Sequence, residues 1–205
     1  MSFVNHKSIK DMKRIIIPIL TIFASIAVFA QAESQHLRFK GVPIDGTLNQ
    51  FVSKMRTKGF VGTVNRDGTA ALKGDFAGYK GCAIIVSTLQ NKDLVSTIGV
   101  VFPECNTWET LERNYLQLKE MLTTKYGEPA KVVEKFQNSR SASDDSSKLY
   151  ELKMDRCNYQ TTFKTTKGDI LLRLFKGDYG SCHVLLAYYD KINSLEVEAA
   201  ALEDL

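Results

Sequence analysis

Histidine is scarce in this chain, three in 205 residues, and only His36 and His183 lie beyond residue 32. Nucleophilic catalysis needs a Ser, Cys or Thr beside a base that a third group orients. No G-x-S-x-G or comparable motif accompanies His183, so a structural strand histidine is the plainer reading. The same scarcity weighs against zinc, which wants C-x-x-C or Cys/His clusters. The four cysteines, Cys82, Cys105, Cys157 and Cys182, are instead spaced by 23, 52 and 25 residues. Phosphate cradles are missing too: Gly177-Asp178-Tyr179-Gly180 follows a strand but opens no helix, so it reads as a turn. Asp144-Asp145 lies in a Ser-rich loop that lacks the alternating oxygen ligands and closing Glu of a calcium site. No catalytic residue, metal or cofactor is therefore expected. Paired carboxylates for glycoside chemistry stay open, because they are set by space and not by sequence.

Excess charge of one sign is also lacking once the N-terminus is set aside. Lys7, Lys10, Lys13 and Arg14 precede the apolar run Ile15 to Ala30, and Ala30-Gln31-Ala32 is the small-x-small pattern that a signal peptidase accepts, with cleavage before Glu33. A run of this length with Pro18 inside is short for a retained span, which needs about 20 apolar residues. No cysteine follows it to carry a lipid. Residues 1–32 are thus expected to be a signal peptide, the product to be soluble, without a membrane span, and periplasmic or secreted. Setting aside four basic residues and Asp11 from the 27 basic and 23 acidic of the whole chain leaves 23 against 22. No basic stripe remains to neutralise phosphates, so nucleic acid is not an expected partner.

What is present is a strongly periodic segment, Asn106 to Gly127. Trp108, Leu111, Tyr115, Leu118, Leu122 and Tyr126 recur at spacings of three and four, one stripe of a helix. Asn106 and Glu109 form a candidate capping box, and Lys125, Gly127 and Pro129 mark the end. A shorter helix starts at Thr47, boxed with Gln50, and buries Leu48, Phe51, Val52 and Met55. Strand-like runs follow each helix. Phe60–Asn65 and Ala70–Phe76 flank the turn Arg66-Asp67-Gly68, while Cys82–Leu89 and Leu94–Phe102 form a hairpin. Ala130–Phe136 precedes a Ser- and Asp-rich loop over 137–148, and Leu149–Met154 resumes the sheet. Cys157–Thr166 and Asp169–Phe175 form a second hairpin, Cys182–Asp190 is a last strand, and an acidic segment from Ser194 closes the chain.

The recurrence implies an internal duplication. Setting Met55 to Lys58 on Leu122 to Lys125 places Phe51 on Leu118 and Leu48 on Tyr115, and setting hairpin on hairpin places Cys82 on Cys157. Each later cysteine exceeds its hairpin register by the same four residues, which predicts Cys82 with Cys105 and Cys157 with Cys182 in an oxidising compartment. Four residues are about 13 Å along a strand and a disulfide spans Cα atoms within about 7 Å, so the chain would have to curl back after each hairpin. Free buried cysteines are the alternative. The expected fold is α+β: a tandem repeat of one helix plus about four antiparallel strands, joined into one large sheet with helices on one face. Its divisions are 1–32 signal peptide, 33–105 first repeat, 106–193 second repeat and 194–205 acidic tail. Alternation then places Tyr159, Phe163, Ile170, Leu172, Leu174, Val184, Leu186 and Tyr188 toward the helices. The other face carries Gln160, Thr162, Lys164, Arg173, His183 and Tyr189, a candidate partner-binding face because Arg and Tyr are frequent anchors. A merely solvated sheet face is the bland alternative.

The phrases FKGVPIDGTLNQF, GDFAGYKGC, FPECNTWETLERNYLQLKEMLTTKYGEP and YELKMDRCNYQTTFKTTKGDI resemble those of a family of exported Gram-negative proteins with no assigned activity, over nearly all of the mature chain. The helix-plus-four-strands plan is similar to the β-lactamase inhibitor protein fold, and each half resembles small outer-membrane assembly lipoproteins. These resemblances imply no site residue. The expected function is an exported non-enzymatic binding or inhibitor-like protein of the cell envelope, presenting the open face and the Gly78 to Gly81 loop to an envelope protein or polymer. The alternative is an envelope glycan or peptide hydrolase with a carboxylate site.

Overall fold

The computed structural model describes residues 35–89 and 92–203; the expected signal peptide lies outside them. Local chemistry sets the helix ends. α1 (Leu48–Thr57) has its expected reciprocal box: Thr47 Oγ1 accepts from the Gln50 amide at 3.3 Å and Gln50 Oε1 accepts from the Thr47 amide at 3.2 Å. α2 (Trp108–Tyr126) is capped one residue later than expected. Thr107, not Asn106, accepts from the Thr110 amide at 3.3 Å, and the two hydroxyls meet at 3.0 Å. A threonine hydroxyl supplies the acceptor that the first turn needs, so the Asn106–Glu109 box does not form. At the far end Gly127 adopts φ 83, a conformation open to glycine and costly for other residues. The whole stripe from Trp108 to Leu122 is buried.

The 137–154 region departs from expectation. A 3-10 turn at Ser139–Ser141 leads to α3 (Asp145–Lys153), where a strand was expected from Leu149. Asp144 Oδ1 accepts from the Ser147 amide at 2.9 Å and Ser147 Oγ accepts from the Asp144 amide at 3.0 Å, a capping box built from two short polar residues. α3 buries only Glu151 and Leu152, too few to leave a periodic signal. Glu151 is held by Arg156 through paired bonds of 3.0 and 2.9 Å.

The strands are β1 (Arg38–Phe39), β2 (Val42–Pro43), β3 (Val61–Val64), β4 (Thr69–Phe76), β5 (Tyr79–Thr88), β6 (Val95–Val101), β7 (Lys131–Phe136), β8 (Cys157–Lys164), β9 (Gly168–Lys176) and β10 (Cys182–Asp190). β1 and β2 form a small ladder, and the other eight form one antiparallel sheet in the order β3-β4-β5-β6-β10-β9-β8-β7. One helix precedes each run of four strands, with α3 between β7 and β8, and the two runs meet where β6 pairs with β10. α4 (Ile192–Glu203) follows β10, and its Asn193 amide donates to Val95 O and Asp45 Oδ1, both at 3.1 Å.

α1, α2 and α3 pack against the sheet in a single apolar cluster. α1 contributes Phe51, Val52 and Met55; α2 contributes Trp108, Leu111, Tyr115 and Leu118. Opposite them stand Ile84, Val86, Ile98, Val100, Ile170, Leu172, Val184 and Leu186. Each such fully buried side chain stabilises the fold by about 1.5–3 kcal/mol relative to exposure. Trp108 meets Tyr159 edge-on at 5.1 Å and Phe136 at 5.2 Å, anchoring α2 over β7 and β8.

Neither expected clasp, Cys82 with Cys105 or Cys157 with Cys182, is formed; all four cysteines are free. Cys157 is on β8 and Cys182 on β10 with β9 between them, so their backbones are about two ladder spacings, roughly 9.6 Å, apart, beyond disulfide reach. After Phe102 the chain bends toward β10 and not back to β5: the Cys105 amide donates to Cys182 O at 2.9 Å. The two hairpins set on one another in the sequence do not occupy equivalent places in the sheet: β5–β6 ends at the central β6–β10 pairing, whereas β8–β9 is separated from it by β10.

Candidate docking face of the sheet

The side of the eight-stranded sheet opposite the core cluster is built by register. One row runs Ala71, Ile85, Gly99, Ala187, Leu171, Thr162, Lys131, each opposite the next across a ladder. The neighbouring row runs Lys73, Ala83, Val101, Leu185, Arg173, Gln160, Val133. A third runs Thr69, Ser87, Thr97, Tyr189, Asp169, Lys164. All six candidate residues, Gln160, Thr162, Lys164, Arg173, His183 and Tyr189, lie on this face. They do not form one cluster. Gln160 and Arg173 are direct neighbours, whereas Lys164 and Tyr189 flank Asp169 two rows away, beyond the Leu171 row. His183 sits at the sheet end beside Phe175, its Nδ1 2.9 Å from Phe102 O.

The centre of this face is apolar and shallowly hollowed. Gly99 and Ala187 oppose one another there, and around them stand Ile85, Val101, Leu185 and Leu171. Ile85 is 41% exposed, while Ala187 is 3% exposed because larger neighbours surround it. A Cβ built on Gly99 would lie 3.8 Å from Leu185 Cδ1 and 3.9 Å from Ile85 Cβ, so a methyl group fits there in ordinary contact with both.

Charge on this face is one-sided. Lys73, Lys131, Lys135, Lys164 and Arg173 occupy its strand positions, and no carboxylate within ion-pair distance is assigned to any of them among the described residues. Arg173 instead lies over the Phe175 ring at 5.9 Å. The two carboxylates at strand positions of this face are already engaged: Asp75 by Lys80 at 3.0 Å and Asp169 by Lys191 at 2.8 Å. On the helix side some cations are paired, as in Arg113 with Glu109 and Lys119 with Glu134. Although the basic and acidic residues beyond residue 32 nearly balance, this face carries an excess of cations. Alternation applied to β4 and β7 would have found Lys73, Lys131 and Lys135, but only the ladders unite them with Arg173.

The Gly78 to Gly81 loop does not join this face. Tyr79 turns to the helix layer, edge-on to Phe102 at 5.0 Å and with its hydroxyl 3.4 Å from Gln117 Oε1. A shift in the β4–β5 register between Gly74 and Phe76 produces that turn.

A cavity of about 550 Å³ is lined by Asp67 and Asp93 with Arg66, Thr88 and Lys92. Asp67 accepts from the Thr69 hydroxyl at 2.6 Å and amide at 3.0 Å, which holds its carboxyl below the usual range. Asp93 accepts from the Leu48 amide at 2.9 Å at the start of α1. A depressed carboxyl is a weak proton donor at neutral pH. Bonds from the Ser147 and Gly81 amides likewise lower Asp144 and Asp75. Among the described residues no cluster of three or more His, Cys, Asp or Glu could hold a metal ion, and no helix is long and apolar enough to cross a membrane. No protein-family model, curated protein or solved structure matches the chain.

Proposed function

We propose that this chain is an exported, non-enzymatic binding or inhibitor-like protein of the cell envelope that takes a macromolecular partner on the uncovered sheet face. One observation carries the reading: the face opposite the helices has an apolar centre with a polar rim, the anatomy of a protein interface. A merely solvated sheet face would alternate to polar residues throughout, and Ile85, Val101, Leu171 and Leu185 break that pattern. Export rests on the basic, apolar and Ala-Gln-Ala pattern of residues 1–32. We also read the two helix-then-four-strand runs as a duplicated unit; the mirrored strand order about β6 and β10 supports it.

The test is a pull-down from the native envelope fraction with wild-type protein and Arg173→Glu. Capture by the first and loss with the second supports the face; equal capture by both refutes it. Arg173→Ala and Tyr189→Ala are expected to weaken capture and leave the melting temperature unchanged, because both side chains are exposed.

A further inference from the structure

We infer that the partner taken by this face is a protein presenting an apolar protrusion ringed by carboxylates, an inference that rests on the docking reading above. The hollow at Gly99 and Ala187 is framed by Ile85 and Leu185, and Lys73 and Arg173, in the neighbouring row that holds Leu185, stand on opposite sides of it. Four ladders separate those two cations, about 19 Å at roughly 4.8 Å each, so an apolar knob can seat between them while its flanking acids meet both. Interfaces with complementary potential gain association rate and exclude wrong partners. A second copy docked face to face is the wrong partner here, because the symmetry of such a contact brings the same cations together. A lipid surface is disfavoured by the hollow: the centre of the patch, Gly99 and Ala187, lies below the flanking Ile85 and Leu185, whereas interfacial binding buries a continuous protruding apolar face.

Gly99→Val separates shape from charge. Its Cβ meets only ordinary contacts, and a β-branched residue suits a strand, so the variant fills the hollow and folds. The measurement is fluorescence titration of the purified protein with a labelled random copolymer of glutamate and tyrosine, alongside poly-glutamate, a lysine–tyrosine copolymer and phosphatidylglycerol vesicles. The acidic copolymer is expected to bind best and to weaken as salt rises. Lys73→Ser with Arg173→Ser should weaken it about tenfold and flatten the salt dependence, and Gly99→Val should weaken the copolymer while leaving residual poly-glutamate binding unchanged. Equal binding of the lysine–tyrosine copolymer, or no effect of the double charge variant, overturns the inference. Tighter binding to vesicles replaces the protein partner with a lipid surface. Self-association that the charge variant abolishes replaces it with a second copy. If envelope capture is lost with Gly99→Val and with Arg173→Glu yet ignores salt and the paired serine changes, the docking face stands and only its acidic partner falls.

Discussion

Glu112 sits beside the apolar stripe of α2, and the fold gives it two donors that its sequence position did not suggest. The buried Trp108 indole donates to Oε2 at 2.9 Å and the Tyr159 hydroxyl to Oε1 at 3.2 Å. Removing the acceptor leaves both donors unsatisfied, which costs about 1–3 kcal/mol. Urea unfolding is expected to show that loss for Glu112→Ala and a smaller one for Glu112→Gln, which keeps an acceptor for one of the two donors. Cys157 offers a pH-dependent counterpart. Burial, then the Glu112 and Glu151 carboxylates, push its thiol up to about 12. A group whose folded pKa is raised contributes stability that is present below its unfolded value, about 9, and lost as pH climbs toward the folded one. Burial also raises Tyr115, Tyr159 and Tyr188, which act in the same sense. Stability should therefore fall from about pH 9 upward, and Cys157→Ala should show a shallower fall between pH 9 and 10.5; an identical decline in the variant would remove the thiol from this account.

At the scale of elements, the two long helices were legible because capping and burial periodicity coincide along the chain. Their stripes are the buried ones, and only the α2 cap moved. Thr107→Ala is expected to cost about 1 kcal/mol of stability and Asn106→Ala a few tenths; the reverse order in chemical denaturation would restore the cap to Asn106. α3 was not legible, because a helix held by a two-residue cap and two buried side chains has no stripe to read. Gly168 illustrates a demand that only neighbouring strands impose. A Cβ there would come 2.1 Å from Tyr189 O on β10, so Gly168→Ala should force the β9–β10 end apart, with a loss on the order of 1–3 kcal/mol and faster amide exchange near Tyr189.

For the whole molecule, stability and the candidate face should separate. Lys73, Lys131, Lys135 and Arg173 have no ion-pair partners among the described residues, so replacing all four with serine is expected to leave the melting temperature within a few degrees or raise it by relieving like-charge repulsion. A large drop would mean that these side chains support the fold. The amino-acid sequence by itself determined the helices, the strand alternation and hence which residues share a face, because those depend on periods of 3.6 and 2 within one segment. Tertiary structure alone decided the rest. Strand order carried Lys73 and Arg173 into one row from positions one hundred residues apart, and it placed β9 between Cys157 and Cys182, which no register within a hairpin could reveal. It also turned Tyr79 away from the open face and set Gly99 opposite Ala187. Each of these outcomes depends on which strands become neighbours, a choice made by burying both helix stripes on one side of a single sheet.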